Sequence, residues 1–126
     1  MRRDFLKLCG MVGLGEGLTP MGDDLVMGVL AGMMWLAEAG KLDRGWVDGV
    51  VEHVRGVAGE ATNKISERLL WYAGEGVLYA PAMELGVALL AGDVNKVDDA
   101  ARRLLAIGHS TGYGVGIGMR CVVGSL

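Results

Sequence analysis

Cysteines, clustered basic residues and long apolar runs are scarce in this chain, and each shortage removes a class of protein. The two cysteines, Cys9 and Cys121, stand near opposite ends, with no CxxC pair and no histidine at ligand spacing. A zinc site or a disulfide framework is therefore not expected, and reduced thiols in a cytoplasm are. Basic residues are too few and too scattered for a nucleic-acid surface: Lys and Arg number 12 against 15 Asp and Glu, a net charge of −3, and only Arg2–Arg3 and Arg102–Arg103 are adjacent. Long apolar runs are missing as well. The uncharged stretch from Leu25 to Ala37 is 13 residues long, whereas a membrane span needs about 20. The stretch from Leu104 to Met119 has 16 residues but contains five glycines and a histidine, so it too reads as a buried helix and not a span. At the start, MRRDFLK places two arginines ahead of an apolar stretch in the manner of an export signal. Glu16 interrupts that stretch and no small-x-small cleavage site follows, so a cytoplasmic protein is expected.

What the chain has in excess is glycine: 22 of 126 residues, against about 7% in average usage. No Gly-x-y period accompanies it and 52% of residues are hydrophobic, which excludes collagen-like and disordered chains. At this length one domain over 1–126 can bury roughly two-thirds of its unfolded surface.

Helix signals run through the sequence. Thr19-Pro20 reads as an N-cap followed by proline in the first turn, with Asp23 and Asp24 facing the positive end of a helix that extends to about Ala39. Asp43 caps a second helix with Val47, Val50, Val51, Val54 and Ala58 on one face. A third starts near Thr62 and runs to about Ala73, turning Thr62 and Ser66 inward. Pro81 opens a fourth that ends at Gly92, Asp93 caps a fifth that Gly108 ends, and Ser110 is a plausible N-cap for a sixth. In that last segment Gly112, Gly114, Gly116 and Gly118 alternate with apolar residues, as in a strand. As a helix, Gly112 and Gly116 share one face and Gly114 and Gly118 another, so the segment is expected to be a buried helix sandwiched between neighbours. The expected fold class is thus all-α, a compact bundle of about six helices with a glycine-rich buried last helix.

Three segments could carry chemistry. In GLGEGLTPMGDD (13–24), glycines free backbone N–H groups to face an anion at a helix N-terminus. The spacing does not match a dinucleotide fingerprint, and no GxxxxGK[ST] occurs. The plainer reading makes the glycines a tight turn and Thr19, Asp23 and Asp24 caps. The functional one has one aspartate hold Mg²⁺ or accept a proton. In GHST (108–111), His109 stands between a helix stop and a helix cap, as an acid, base or oxyanion donor, or simply as a neutral side chain bonded to backbone. Thr62, Asn63 and Ser66 form the third group, for which capping and a hydroxyl bonded to its own helix is the simplest account.

Taken together, GLGEGLTPMGDDLVMGVLAG (13–32), ATNKIS (61–66) and LLAIGHSTG (104–112) resemble the family of the third, AllH-type subunit of oxamate carbamoyltransferase, long described as a domain of unknown function. The resemblance covers residues 13 to about 118. It implies a role in allantoin degradation, where carbamoyl phosphate and oxamate interconvert with oxalurate and phosphate. Carried onto this chain it implies Gly15, Gly17, Thr19, Gly22, Thr62, Ser66, Ser110 and Gly112 as substrate-binding residues. It implies Asp23, Asp24 and His109 as catalytic, with Asp23 and Asp24 also holding Mg²⁺ if a metal is used. The family usually has Ser where Met21 stands, often Pro where Glu16 stands, and an acidic residue near Gly114. Its members are longer, so the chain resembles their C-terminal half.

Two function classes follow. In the enzymatic one, Asp23, Asp24 and His109 share one solvent-reachable cleft that binds a small anionic metabolite, and Arg102, Arg103 or a partner subunit supplies the cation it lacks. In the other, the chain is a non-catalytic helical module that assembles into a homo-oligomer or with partner subunits.

Overall fold

The computed structural model describes residues 7–108 and 110–124. Residues 7–10 are helical, and six helices follow: α1 (Met21–Glu38), α2 (Arg44–Ala61), α3 (Lys64–Ala73), α4 (Ala80–Ala91), α5 (Val94–Leu105) and α6 (Thr111–Val123). No strand occurs among the described residues, so the all-α expectation holds. No helix among them is long and apolar enough to cross a membrane.

The helix boundaries follow from short-range chemistry. The Asp43, Asn63 and Asp93 side chains accept from the backbone N–H of Trp46, Ser66 and Lys96 respectively, each satisfying a donor that has no intrahelical partner. Gly92 ends α4 in the left-handed region at φ 70°, as the sequence suggests. Two caps differ from expectation. Pro20, not Thr19, is the N-cap of α1 and has no polar side-chain atom to cap with, while the Thr19 hydroxyl pairs with Thr111. Thr62 is the extended residue closing α2 and Asn63 caps α3. One residue of shift at a helix end is ordinary, but both displaced hydroxyls turn out to be used elsewhere.

Helix α1 is the axis of the molecule. Twelve of its residues are buried, among them Val26, Met27, Leu30 and Ala31, and the cluster around them takes in Val47 and Val54 of α2, Leu70 of α3 and Val115 and Met119 of α6. A helix apolar on nearly all sides is one enclosed by neighbours.

The α1–α6 contact explains the glycine alternation. A methyl group on Gly118 would overlap the Leu25 carbonyl oxygen, and one on Gly28 would overlap that of Val115, so the two backbones touch where no side chain fits. Gly114 faces Asp24 and Met21 on the same side, while Gly112 and Gly116 face Leu104 of α5. The segment 111–123 is therefore a helix sandwiched between neighbours. Strand-like alternation arises because two opposite faces are each lined with glycine every fourth residue.

Candidate functional site

Three helix N-termini meet beneath the loop at 13–19. Thr19, just ahead of α1, and Thr111, the first residue of α6, share a hydroxyl–hydroxyl hydrogen bond of 3.0 Å. Asn63, the cap of α3, donates its side-chain amide to the Leu18 carbonyl at 2.8 Å. The positive ends of α1, α3 and α6 thus point into one region. No hydrogen bond joins the backbone N–H groups of residues 15–19 to another described group, and residues 14–18 are exposed.

The two adjacent aspartates do different work, although both are completely buried. Asp23 is a strut. One oxygen accepts the Gly13 backbone N–H at 2.7 Å, and the other accepts the hydroxyls of Thr62 and Ser66. Gly13 can approach this way because its φ of 87° and its contact with the Ala61 carbonyl leave no room for a side chain. The Ser66 hydroxyl, expected to bond within its own helix, ties α3 to α1 instead.

Asp24 is the opposite case: neither of its carboxyl oxygens has a hydrogen-bond partner among the described residues. Burial pushes its carboxyl up from the ordinary 3.8 to about 7, and the neighbouring Asp23 adds to the rise. Thr19 lies near enough to oppose that shift, but its well-formed hydrogen bond goes to Thr111. A second orphaned group lies within electrostatic reach. The Tyr79 hydroxyl, at the start of α4, is buried without a partner among the described residues, and burial together with the Asp24 charge raises it above the usual range for a phenol. Tyr79 carries no signal in the sequence, since the burial of its hydroxyl is a result of packing.

Other expected residues fall as follows. Gly15 and Gly17 lie in the exposed loop at positive φ. Gly22 is buried and donates its N–H to the Leu14 carbonyl at 2.9 Å. Ser110 caps α6 without a side-chain bond, and Gly112 packs against the Leu104 carbonyl. His109 lies outside the described residues. Asp23 and Asp24 do not open into a shared solvent-reachable cleft, because neither has exposed surface. A resident Mg²⁺ does not fit the donors present. Both Asp23 oxygens are engaged, and no group of three His, Cys, Asp or Glu side chains able to hold a metal occurs among the described residues. Arg102 and Arg103 are committed to exposed ion pairs with Asp98, Asp99 and Glu84.

Comparison with known proteins identifies a family. The family model described as oxamate carbamoyltransferase subunit AllH matches residues 11–123, which is nearly the whole chain. Neither a curated protein nor a solved structure matches.

Proposed function

Because the chain belongs to the family of oxamate carbamoyltransferase subunit AllH, we propose that it serves carbamoyl transfer by holding a small anion over the converging N-termini of α1, α3 and α6. The anion is of the carbamoyl phosphate or oxamate type. Support comes from the pairing of two features. The three helix ends and the unpaired N–H groups of residues 15–19 favour negative charge. Beneath them a buried carboxyl with no partner, titrating near neutrality, is suited to exchange protons.

The chemistry balances with that carboxyl as proton carrier. In the synthetic direction the oxamate amide nitrogen attacks the carbamoyl carbon, the carbon–nitrogen bond forms, and the bond from that carbon to the phosphate oxygen breaks. The proton lost by the nitrogen passes to Asp24, and phosphate departs. Phosphorolysis of oxalurate runs the same steps backwards. A carboxyl at about 7 is populated in both forms at neutral pH, so it serves either direction. Access requires the Thr19–Thr111 bridge to part, and a single neutral hydrogen bond contributes only about 1 kcal/mol.

The observation that carries this reading is Asp24, an enclosed acid whose carboxyl makes no hydrogen bond to the described residues. The test is thermal unfolding with inorganic phosphate, carbamoyl phosphate and oxamate. At a hundredfold excess over the dissociation constant each ligand stabilises by about 2.7 kcal/mol, so the melting temperature rises with all three and not with urea. Unchanged melting in the presence of all three anions contradicts the proposal.

A second reading, a module that binds partner subunits in the cytoplasm, is favoured by an apolar groove of about 510 Å³ between α4, α5 and α6. Leu105 and Tyr113 on its rim are more than half exposed. The two readings are compatible, since the groove reaches Gly112 at the start of α6.

A further inference from the structure

Membership of a family of enzyme subunits implies partners without saying where one sits. The groove between α4, α5 and α6 has the construction of such a seat. Leu85 and Leu104 line it as buried residues, and Leu105 and Tyr113 stand more than half exposed on its rim. Along α5 the lining runs from Val97 to Leu105 and along α6 from Gly112 to Arg120, in each case about 12 Å of helix. A guest helix that buries residues i, i+3 or i+4, and i+7 spreads its anchors over about 10.5 Å. Three such anchors fit the trough lengthwise, and the guest becomes the fourth member of a bundle with α4, α5 and α6.

The wall formed by α6 says what kind of guest fits. Gly112, Gly116 and Arg120 follow at four-residue spacing and form one strip along the groove. A methyl group on Gly112 would overlap the Leu104 carbonyl oxygen, so packing inside the chain accounts for that glycine. One on Gly116 would only touch the Leu104 side chain at 3.4 Å, an ordinary contact. Glycine weakens a helix relative to alanine, and what Gly116 gives in return is bare backbone that a second helix can approach closely. Arg120, at the end of the strip, makes no ion pair among the described residues. A free cation at the end of an apolar trough calls for a carboxylate on the guest. A second copy of this chain does not supply one. In a two-fold contact the same face meets itself, α6 has no acidic residue, and Glu84 of α4 and Asp98 and Asp99 of α5 already pair with Arg102 and Arg103.

We propose that the groove seats a helix of a partner subunit, with an aliphatic stripe in the trough and an Asp or Glu side chain against Arg120. This rests on the partner-binding reading above and is independent of the anion. The end of the groove opposite Arg120 reaches Tyr113, two residues from the Thr111 that bridges to Thr19, so the seated partner stands beside the candidate site.

Two short helical peptides test the seat. Both carry leucine at i, i+4 and i+7, and they differ at one flanking position, glutamate in the first and lysine in the second. Decanoate serves as a flexible apolar anion for comparison. The glutamate peptide is expected to shift the amide signals of Ala101, Gly116 and Ile117 and to bind about fivefold more tightly than the lysine peptide, the factor an exposed ion pair supplies at its upper range. Arg120→Glu is expected to invert that order. Gly116→Leu fills the trough while favouring the helix, so it is expected to abolish binding of both peptides, and melting at or above the parent temperature verifies its fold. Equal binding of the two peptides, or binding of neither, overturns the proposal, and decanoate held in their place identifies a small amphiphile as the occupant. A parent dimer in light scattering that Gly116→Leu turns into a monomer puts a second copy in the groove and overturns it as well. Undiminished assembly of the Gly116→Leu chain with the transferase's other subunits overturns this seat and leaves the partner-binding reading intact, whereas failure of the parent chain to assemble with them overturns that reading.

Discussion

Asp23 and Asp24 are neighbours in sequence, equally buried, and opposite in what they do for the fold. Asp23 gathers the Gly13 N–H from the loop before α1, the Thr62 hydroxyl from the end of α2 and the Ser66 hydroxyl from α3. Asp23→Ala would leave those donors unsatisfied inside the protein, at roughly 1–3 kcal/mol each, and a loss of several kcal/mol in chemical denaturation is expected. Asp24 gathers nothing, and its raised carboxyl makes stability depend on pH with a definite sign. The folded chain binds the proton more tightly than the unfolded one, so this group's contribution is whole below about pH 4. It is lost as pH rises towards 7 and is constant above that. At about 1.4 kcal/mol per pH unit, a rise from 3.8 to about 7 amounts to roughly 4 kcal/mol. Denaturant midpoints at pH 5 and pH 8 should therefore differ in the parent chain, and the Asp24 contribution to that difference should vanish in Asp24→Asn, which should also be the more stable protein at pH 8. A midpoint at pH 8 that Asp24→Asn leaves unchanged would show that the carboxyl is not orphaned.

Among the helices, the contact of α1 with α6 is the one that fixes the site, since it sets Gly114 against Asp24 and brings Thr111 to Thr19. Its glycines are not interchangeable with those elsewhere. Gly118→Ala would drive a methyl group into the Leu25 carbonyl, and separating the helices to admit it should cost about 1–3 kcal/mol. Gly56→Ala, on an open face of α2 with nothing near the new methyl group, should stabilise by about 0.5–1 kcal/mol. Thermal melts of the two variants should move in opposite directions. Much of this was legible in sequence, because the caps at Asp43 and Asp93, the stop at Gly92 and the two glycine faces of α6 are local or periodic signals. Thr19 and Ser66 were not read correctly. Each could bond within its own segment, and only the packing of α1 against α3 and α6 gives their hydroxyls a better partner.

For the whole molecule, the sequence motifs brought together the right neighbourhood but not its inner wiring. The loop at 13–19, the Thr62–Ser66 turn and the start of α6 do converge. Their expected shared cleft is instead a sealed interior with a strut on one side and an unpaired acid on the other. Tyr79 was invisible because orphaning is a property of packing, which no spacing in the chain announces. The surface offers a rival home for an anion. Arg55, Lys64 and Arg68 line a cleft of about 390 Å³ on the far side of α3, although Arg55 is already bound to Glu52, Glu75 and the Trp71 carbonyl. Amide chemical shifts of the ¹⁵N-labelled chain, followed as inorganic phosphate is added, separate the two places most directly. The account predicts saturating shifts at residues 15–19, 111 and 112 together. Shifts centred instead on Arg55, Lys64 and Arg68, or no saturating shifts at all, would contradict it.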